Sequence, residues 1–98
     1  MNEPVTVLAR LRAKKGLESR LRQELQKLVA PTRNEGGCIN YDLHESAEEA
    51  GLFLFYENWK SQADLDAHFQ TPHLLAWRKI SPELLEGALE LTKWKKIG

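Results

Sequence analysis

Residues 53–73 read Phe53-Leu-Phe-Tyr-Glu57-Asn-Trp59-Lys-Ser61-Gln-Ala-Asp64-Leu-Asp-Ala-His68-Phe-Gln-Thr71-Pro72-His73. The stretch from Leu52 to Trp59 is apolar on both parities in its first half, the pattern of a strand covered on both faces and therefore central in its sheet. Ser61 and Asp64 have the spacing of a capping box, in which the serine oxygen takes one orphan backbone N–H and the acid reaches back to another, so a helix is predicted from Ser61. Thr71 followed by Pro72 reads as a fresh N-cap with proline at the first helical position, which divides the helical segment in two. Leu65, His68 and Phe69 share a face of the first piece, while His73, Trp77 and Ile80 stand at i, i+4 and i+7 of the second. Both histidines therefore point with apolar stripes.

Upstream, Val5 to Ala13 alternates, with Val5, Val7, Ala9 and Leu11 on one face and Thr6, Arg10 and Arg12 on the other, the period of a half-buried strand. After Gly16 the period changes. Leu17, Leu21, Leu25, Leu28 and Val29 form one helical stripe, with Pro31 marking its end. Glu35-Gly36-Gly37 reads as a turn into a strand from Cys38 to His44, where Ile39, Tyr41 and Leu43 alternate with Cys38, Asn40, Asp42 and His44. Glu45 to Gly51 forms a hairpin connection. Downstream, Pro82 and Gly87 loosen the chain before a last strand over Ala88 to Ile97.

The order strand, helix, strand, strand, helix, strand is that of an α+β, ferredoxin-like split βαβ domain over residues 1–98, with a four-stranded antiparallel sheet and helices on one face. No element is left to cover the other face, so a second subunit placing its sheet there is expected, giving a homodimer.

Fourteen basic residues balance fourteen acidic ones, so no field of one sign favours nucleic acid or an anionic membrane. No window approaches the roughly 18 consecutive apolar residues of a membrane span, and residues 1–20 hold no apolar run of signal-peptide length. Cys38 is the single cysteine, which excludes an intramolecular disulfide and a cysteine-based zinc site and fits a reducing, cytoplasmic location. The expectation for Cys38 itself is a small buried hydrophobe.

Three segments, Glu35-Gly-Gly-Cys38-Ile-Asn-Tyr41-Asp-Leu-His44, Phe55-Tyr-Glu57-Asn-Trp59-Lys-Ser61 and His68-Phe-Gln-Thr-Pro72-His73, together resemble the antibiotic biosynthesis monooxygenase family. The likeness spans nearly the whole chain and is most specific from Glu57 to His73. It implies a dimeric α/β barrel of two ferredoxin-like subunits. For some members it further implies oxidation of phenols and quinols by molecular oxygen without metal, flavin or haem, the substrate anion itself reducing oxygen. Other branches of the superfamily isomerise a small phosphorylated signalling molecule or degrade haem, and fold alone does not choose among them. The haem-degrading branch pairs a helical tryptophan and histidine with an asparagine on the first strand. Here the matching tryptophan position is His68 and strand one has no asparagine, which argues against haem cleavage.

Each candidate site residue has two readings. Trp59 is either an aromatic wall of the substrate cavity, as the resemblance implies, or a core anchor. Glu57 shares a strand face with Phe53, Phe55 and Trp59; it is either a carboxylate raised in pKa by desolvation and able to act as a base, or one paired with an arginine. His68 and His73 are the candidates for taking a proton from a phenolic hydroxyl, with a satisfied core histidine or a cap of the helix break as the alternatives. His44 lies with Asn40 and Asp42 on what is either a polar cavity wall or a solvent-facing strand end. Phe55 would hold the ring beside Trp59, and Tyr41 or Asn58 would fix a substrate oxygen. His-x4-His across a helix break lacks the i, i+4 geometry of a zinc-binding helix, and no H-E-x-x-H is present, so no metal is expected. The resulting expectation is a cytoplasmic homodimer, each subunit binding a planar quinol or phenol and oxygen, with no cofactor, no nucleic acid and no membrane partner. An isomerase of a small, phosphorylated or sugar-like metabolite and a non-catalytic small-molecule binder are the rival readings.

Overall fold

The computed structural model describes residues 3–98. Strands β1 (Val5–Arg12), β2 (Cys38–Glu45), β3 (Leu52–Trp59) and β4 (Glu90–Trp94) and helices α1 (Glu18–Arg33), α2 (Gln62–His68) and α3 (Pro72–Leu84) follow in the order β1-α1-β2-β3-α2-α3-β4. The sheet order is β2-β3-β1-β4, with every neighbouring pair antiparallel. This is the ferredoxin-like α+β arrangement the element order predicts: β1 and β2 flank β3 and run parallel to one another through α1, and β3 reaches β4 through the divided helix.

The helices cover one face. There Val7, Ala9 and Leu11 of β1, Tyr41 of β2 and Phe53, Phe55 and Trp59 of β3 pack beneath Leu21, Leu25 and Leu28 of α1 and Leu65, Leu74, Trp77 and Leu84 of the other helices. Burying a side chain of this size contributes about 1.5–3 kcal/mol. The other face carries Leu8, Leu54, Asn58 and Tyr56, with Ile39, Tyr56 and Trp94 exposed by 54%, 42% and 56%.

Four local features differ from the sequence expectation. Pro31 lies inside α1, which continues to Arg33. Beyond the proline, which removes one backbone hydrogen bond, Thr32 is fully buried and Arg33 donates to the Tyr41 carbonyl and to Asp42, so tertiary contacts hold the last turn. Pro82 is likewise inside α3, whose end is anchored by buried Leu84. Register shifts between Cys38 and Asn40, so that Cys38 lies opposite Trp59 and Asn40 opposite Asn58. This bulge frees Ile39 from the inward set that alternation assigns it. Finally, β4 spans only Glu90–Trp94.

The start of α2 follows its cap closely. Ser61 Oγ accepts from the Asp64 N–H at 3.2 Å, and Asp64 closes the motif by accepting from the Ser61 hydroxyl at 2.8 Å rather than from a backbone N–H. Thr71 caps α3 with Pro72 at its first turn.

Candidate functional site

The end of β3, the turn after α1 and the junction between α2 and α3 meet at one end of the sheet. Gly37 makes the approach feasible, since a Cβ there would fall 2.2 Å from Asp64 Cβ, a distance no side chain tolerates. The Lys60 N–H donates to the Gly37 carbonyl at 2.9 Å. Together these contacts pin the turn against the first residues of α2 and bring Glu35 to the histidines.

Glu35 Oε2 lies 2.8 Å from His68 Nδ1 and 2.8 Å from His73 Nε2. The Thr71 hydroxyl donates to the His68 carbonyl at 2.8 Å, which leaves its oxygen as an acceptor 3.3 Å from His73 Nε2. The network therefore assigns the proton of His73 to Nε2 and that of His68 to Nδ1, each donating to the Glu35 carboxylate. His68 Nε2 has no protein partner among the described residues, and the ring, only 2% exposed, lines the interior cavity. Trp59 and Tyr41 hold that ring, with centroids 4.5 Å and 5.5 Å away. Burial lowers the His68 pKa against the opposing pull of Glu35, so the neutral imidazole, with a free lone pair on Nε2, is the form present near neutral pH.

The cavity lies between the sheet and the α2–α3 segment. Tyr41, Phe55, Glu57 and His68 form its floor, and Phe69, Leu74, Trp77, Leu89 and Leu91 complete the wall. Its free volume is about 40 Å³, little more than one water. Tyr41 and Phe55 stack at 4.5 Å. Glu57 is 4% exposed, and burial pushes its carboxyl up to about 7, opposed by the hydrogen bond from Trp59 and reinforced by the charge of Glu35. The Trp59 Nε1–H donates to Glu57 Oε1 at 2.9 Å. Burial, and then the Glu57 charge, raise the Tyr41 phenol above its ordinary value, so it is a neutral hydrogen-bonding group. The arrangement thus offers a neutral imidazole as proton acceptor and a carboxyl titrating near neutrality as donor, both on an aromatic floor.

Of the residues singled out from sequence, Tyr41, Phe55, Glu57 and His68 converge on the cavity. His73 stands behind His68, joined to it through Glu35 rather than facing the cavity. Trp59 is fully buried beneath His68 and Glu57 and supports both without lining the free space. Asn58 and His44 are elsewhere. Asn58 accepts from Thr6 Oγ1 at 2.6 Å and donates to Asn40 at 2.8 Å on the opposite face, and exposed His44 pairs with Leu54 on that same face. Strand parity accounts for both, because Asn58 sits between inward Glu57 and Trp59 and His44 follows Asn40 and Asp42 outward. Cys38 is half-buried, and burial followed by the charges of Glu35 and Glu57 raises its thiol to about 11, leaving no thiolate at neutral pH.

Glu35, the residue that joins the two histidines, is one that sequence reading passes over as part of a glycine turn. Its partners lie 33 and 38 positions away, and no local period marks it.

A family model described as antibiotic biosynthesis monooxygenase matches residues 4–80. Rv0793 of Mycobacterium tuberculosis is 41% identical over 92 residues, covering 94% of this chain and 90% of that protein. Its solved structure superposes with a TM-score of 0.92 at 36% identity, covering 98% of this chain and 97% of that one. The protein sll1783 of Synechocystis is 34% identical over 94 residues; the match covers 96% of this chain but only 64% of that relative's length. "Probable quinol monooxygenase YgiN" of Escherichia coli is 29% identical over 93 residues, covering 84% of this chain and 89% of that protein.

Proposed function

Because this chain belongs to the antibiotic biosynthesis monooxygenase family, we propose that it inserts one atom of molecular oxygen into a small aromatic quinol or phenol, with His68 as the base and no cofactor. The observation that carries this reading is the state of His68: Nδ1–H is committed to Glu35, and the unpartnered Nε2 belongs to a ring lining an aromatic cavity. The name of the YgiN relative supports a quinol as the substrate class.

In this reading His68 Nε2 takes the phenolic proton, and Glu35 stabilises the imidazolium that results. The phenolate passes one electron to oxygen, and the radical and superoxide join at a ring carbon, the proton returning from His68 to the peroxide. His68 then removes the proton on that carbon as the O–O bond breaks, and Glu57 in its acid form protonates the departing hydroxide. The imidazolium proton returns to Glu57. One oxygen atom stays as a ring carbonyl and the other leaves as water, the substrate supplying all four electrons. Phe55 and Tyr41 stack on the ring, and His73 and Trp59 are positioning residues.

The cavity has too little free volume for a ring, so substrate enters by displacing part of the wall, at the lining residue Leu89, which is 40% exposed. The opposite face of the sheet, with exposed Ile39, Tyr56 and Trp94, is the surface on which a second copy completes a homodimer, in a cytoplasmic setting that suits a lone reduced cysteine. No helix among the described residues is long and apolar enough to cross a membrane.

The test is oxygen-electrode uptake by chelator-treated protein with a panel of reduced naphthoquinols, corrected for spontaneous oxidation. Acceleration is expected to survive metal removal and to fall about 10²- to 10⁴-fold in His68→Ala. No acceleration with any quinol, or full activity in His68→Ala, would overturn the proposal.

A further inference from the structure

Glu35 Oε2, His68 Nδ1 and His73 Nε2 lie within 4.8 Å of one another, with both oxygen–nitrogen separations at 2.8 Å. We propose that these three atoms form a site for one divalent cation of the zinc class, and that filling it switches off His68 as a base. The metal site stands on this geometry alone; the switch rests on the base assigned to His68 above.

Two imidazoles and a carboxylate are the donor set zinc takes where a fourth position stays open. With bonds of about 2.0–2.2 Å, adjacent ligand atoms around zinc stand roughly 3.0–3.5 Å apart, so the carboxylate oxygen and each nitrogen need spread by less than about 1 Å. His68 is held by Trp59 and Tyr41, while Glu35 and His73 keep 15% and 20% of their side-chain surface exposed. The fixed ligand is thus at the back and the two adjustable ones are at the mouth, which supplies an entry path. The spacing of the histidines alone makes no metal site; Glu35, delivered by the Gly37 turn, completes the set.

Coordination requires lone pairs where the apo network has N–H groups. In each neutral imidazole the proton therefore changes nitrogen, from Nδ1 to Nε2 in His68 and from Nε2 to Nδ1 in His73, with no net proton released. His68 then presents an N–H to the cavity and has no lone pair to accept a phenolic proton. Metal binding and base catalysis are mutually exclusive.

Chelator-treated full-length protein titrated with zinc chloride by calorimetry, and with cobalt(II) by visible absorption, reads the site directly. The expected result is one zinc per chain, a raised melting temperature, and loss of oxygen uptake with half-inhibition at the concentration that half-fills the site. Removing a ligand in His73→Ala or Glu35→Ala should weaken zinc affinity more than about tenfold, while His44→Ala on the opposite face should leave it unchanged. Circular dichroism checks that the variants fold, and His73→Gln serves if alanine does not. Absence of saturable binding at millimolar zinc, or affinity unmoved by both ligand variants, overturns the site. Stoichiometric zinc that leaves quinol oxidation intact overturns the switch and, with it, His68 as the base, while the metal site stands.

Discussion

Glu57→Gln separates the cost of a buried charge from the cost of a lost contact. The Glu57 carboxyl is 4% exposed and its pKa is raised from 4.5 to about 7, chiefly by burial. A carboxyl whose folded pKa lies above its unfolded one contributes stability that is fully present below the unfolded pKa and is lost as pH rises through the folded one. At pH 5 the folded form is neutral while the unfolded one is already about three-quarters ionised; at pH 8 both are ionised. Integrating the linkage between these two pH values, the native protein loses about 2–3 kcal/mol relative to Glu57→Gln, whose amide keeps an oxygen for the Trp59 N–H and carries no charge. For a chain of this size that corresponds to a relative shift of roughly 10–20 °C in melting temperature. Urea unfolding of both proteins at pH 5, 6, 7 and 8 measures the difference, in which other titrating groups cancel. A difference that does not change with pH would refute the buried-acid description and remove Glu57 as a proton donor.

The rate profile should be bell-shaped, because His68, its pKa lowered by burial, must be neutral and Glu57, raised to about 7, must be protonated. Quinol kcat/KM is expected to fall on an acid limb displaced below the ordinary histidine range and on the alkaline side above about 7, with the alkaline limb absent in Glu57→Gln. Glu35→Ala leaves the Nδ1–H of buried His68 without an acceptor, so chemical denaturation should show a loss of about 1–3 kcal/mol, and the NMR titration of His68 should move to lower pH. In Gly37→Ala the added methyl meets Asp64; oxygen uptake should fall further than global stability because the turn carrying Glu35 is displaced. Tyr56→Glu combined with Trp94→Glu places charges on the exposed sheet face; if that face is the dimer surface proposed above, sedimentation should report a dimer for the native chain and a monomer for the double variant.

The elements of this fold are legible because their periods are clean. Alternation marks β1, a run apolar on both parities marks β3, the leucine stripe marks α1, and Ser61 and Thr71 each announce a helix start that the structure realises. Proline is a weaker stop than its local chemistry implies: Pro31 and Pro82 sit inside helices whose last turns are fastened by buried Thr32 and Leu84. Tertiary packing decides such ends, and no local rule contains it. The bulge that turns Ile39 outward is hidden for the same reason, since alternation alone places it with Tyr41 and Leu43.

The site divides along a similar line. Phe55, Glu57 and His68 are readable because strand parity and helix face aim them at the core. The same parity, applied strictly, also sets Asn58 and His44 on the far side. Glu35 is different in kind. Its role exists only because Gly37 lets the turn after α1 touch α2, a meeting of residues far apart in the chain.

Mass spectrometry of the product formed from a reduced naphthoquinol under ¹⁸O₂ by chelator-treated protein follows both oxygen atoms of the proposed oxygenation. The expected product is a hydroxylated quinone carrying one ¹⁸O atom per molecule, with the second labelled atom in water, and its formation depends on His68. A quinone free of label, or labelled product formed equally fast by His68→Ala, would contradict it.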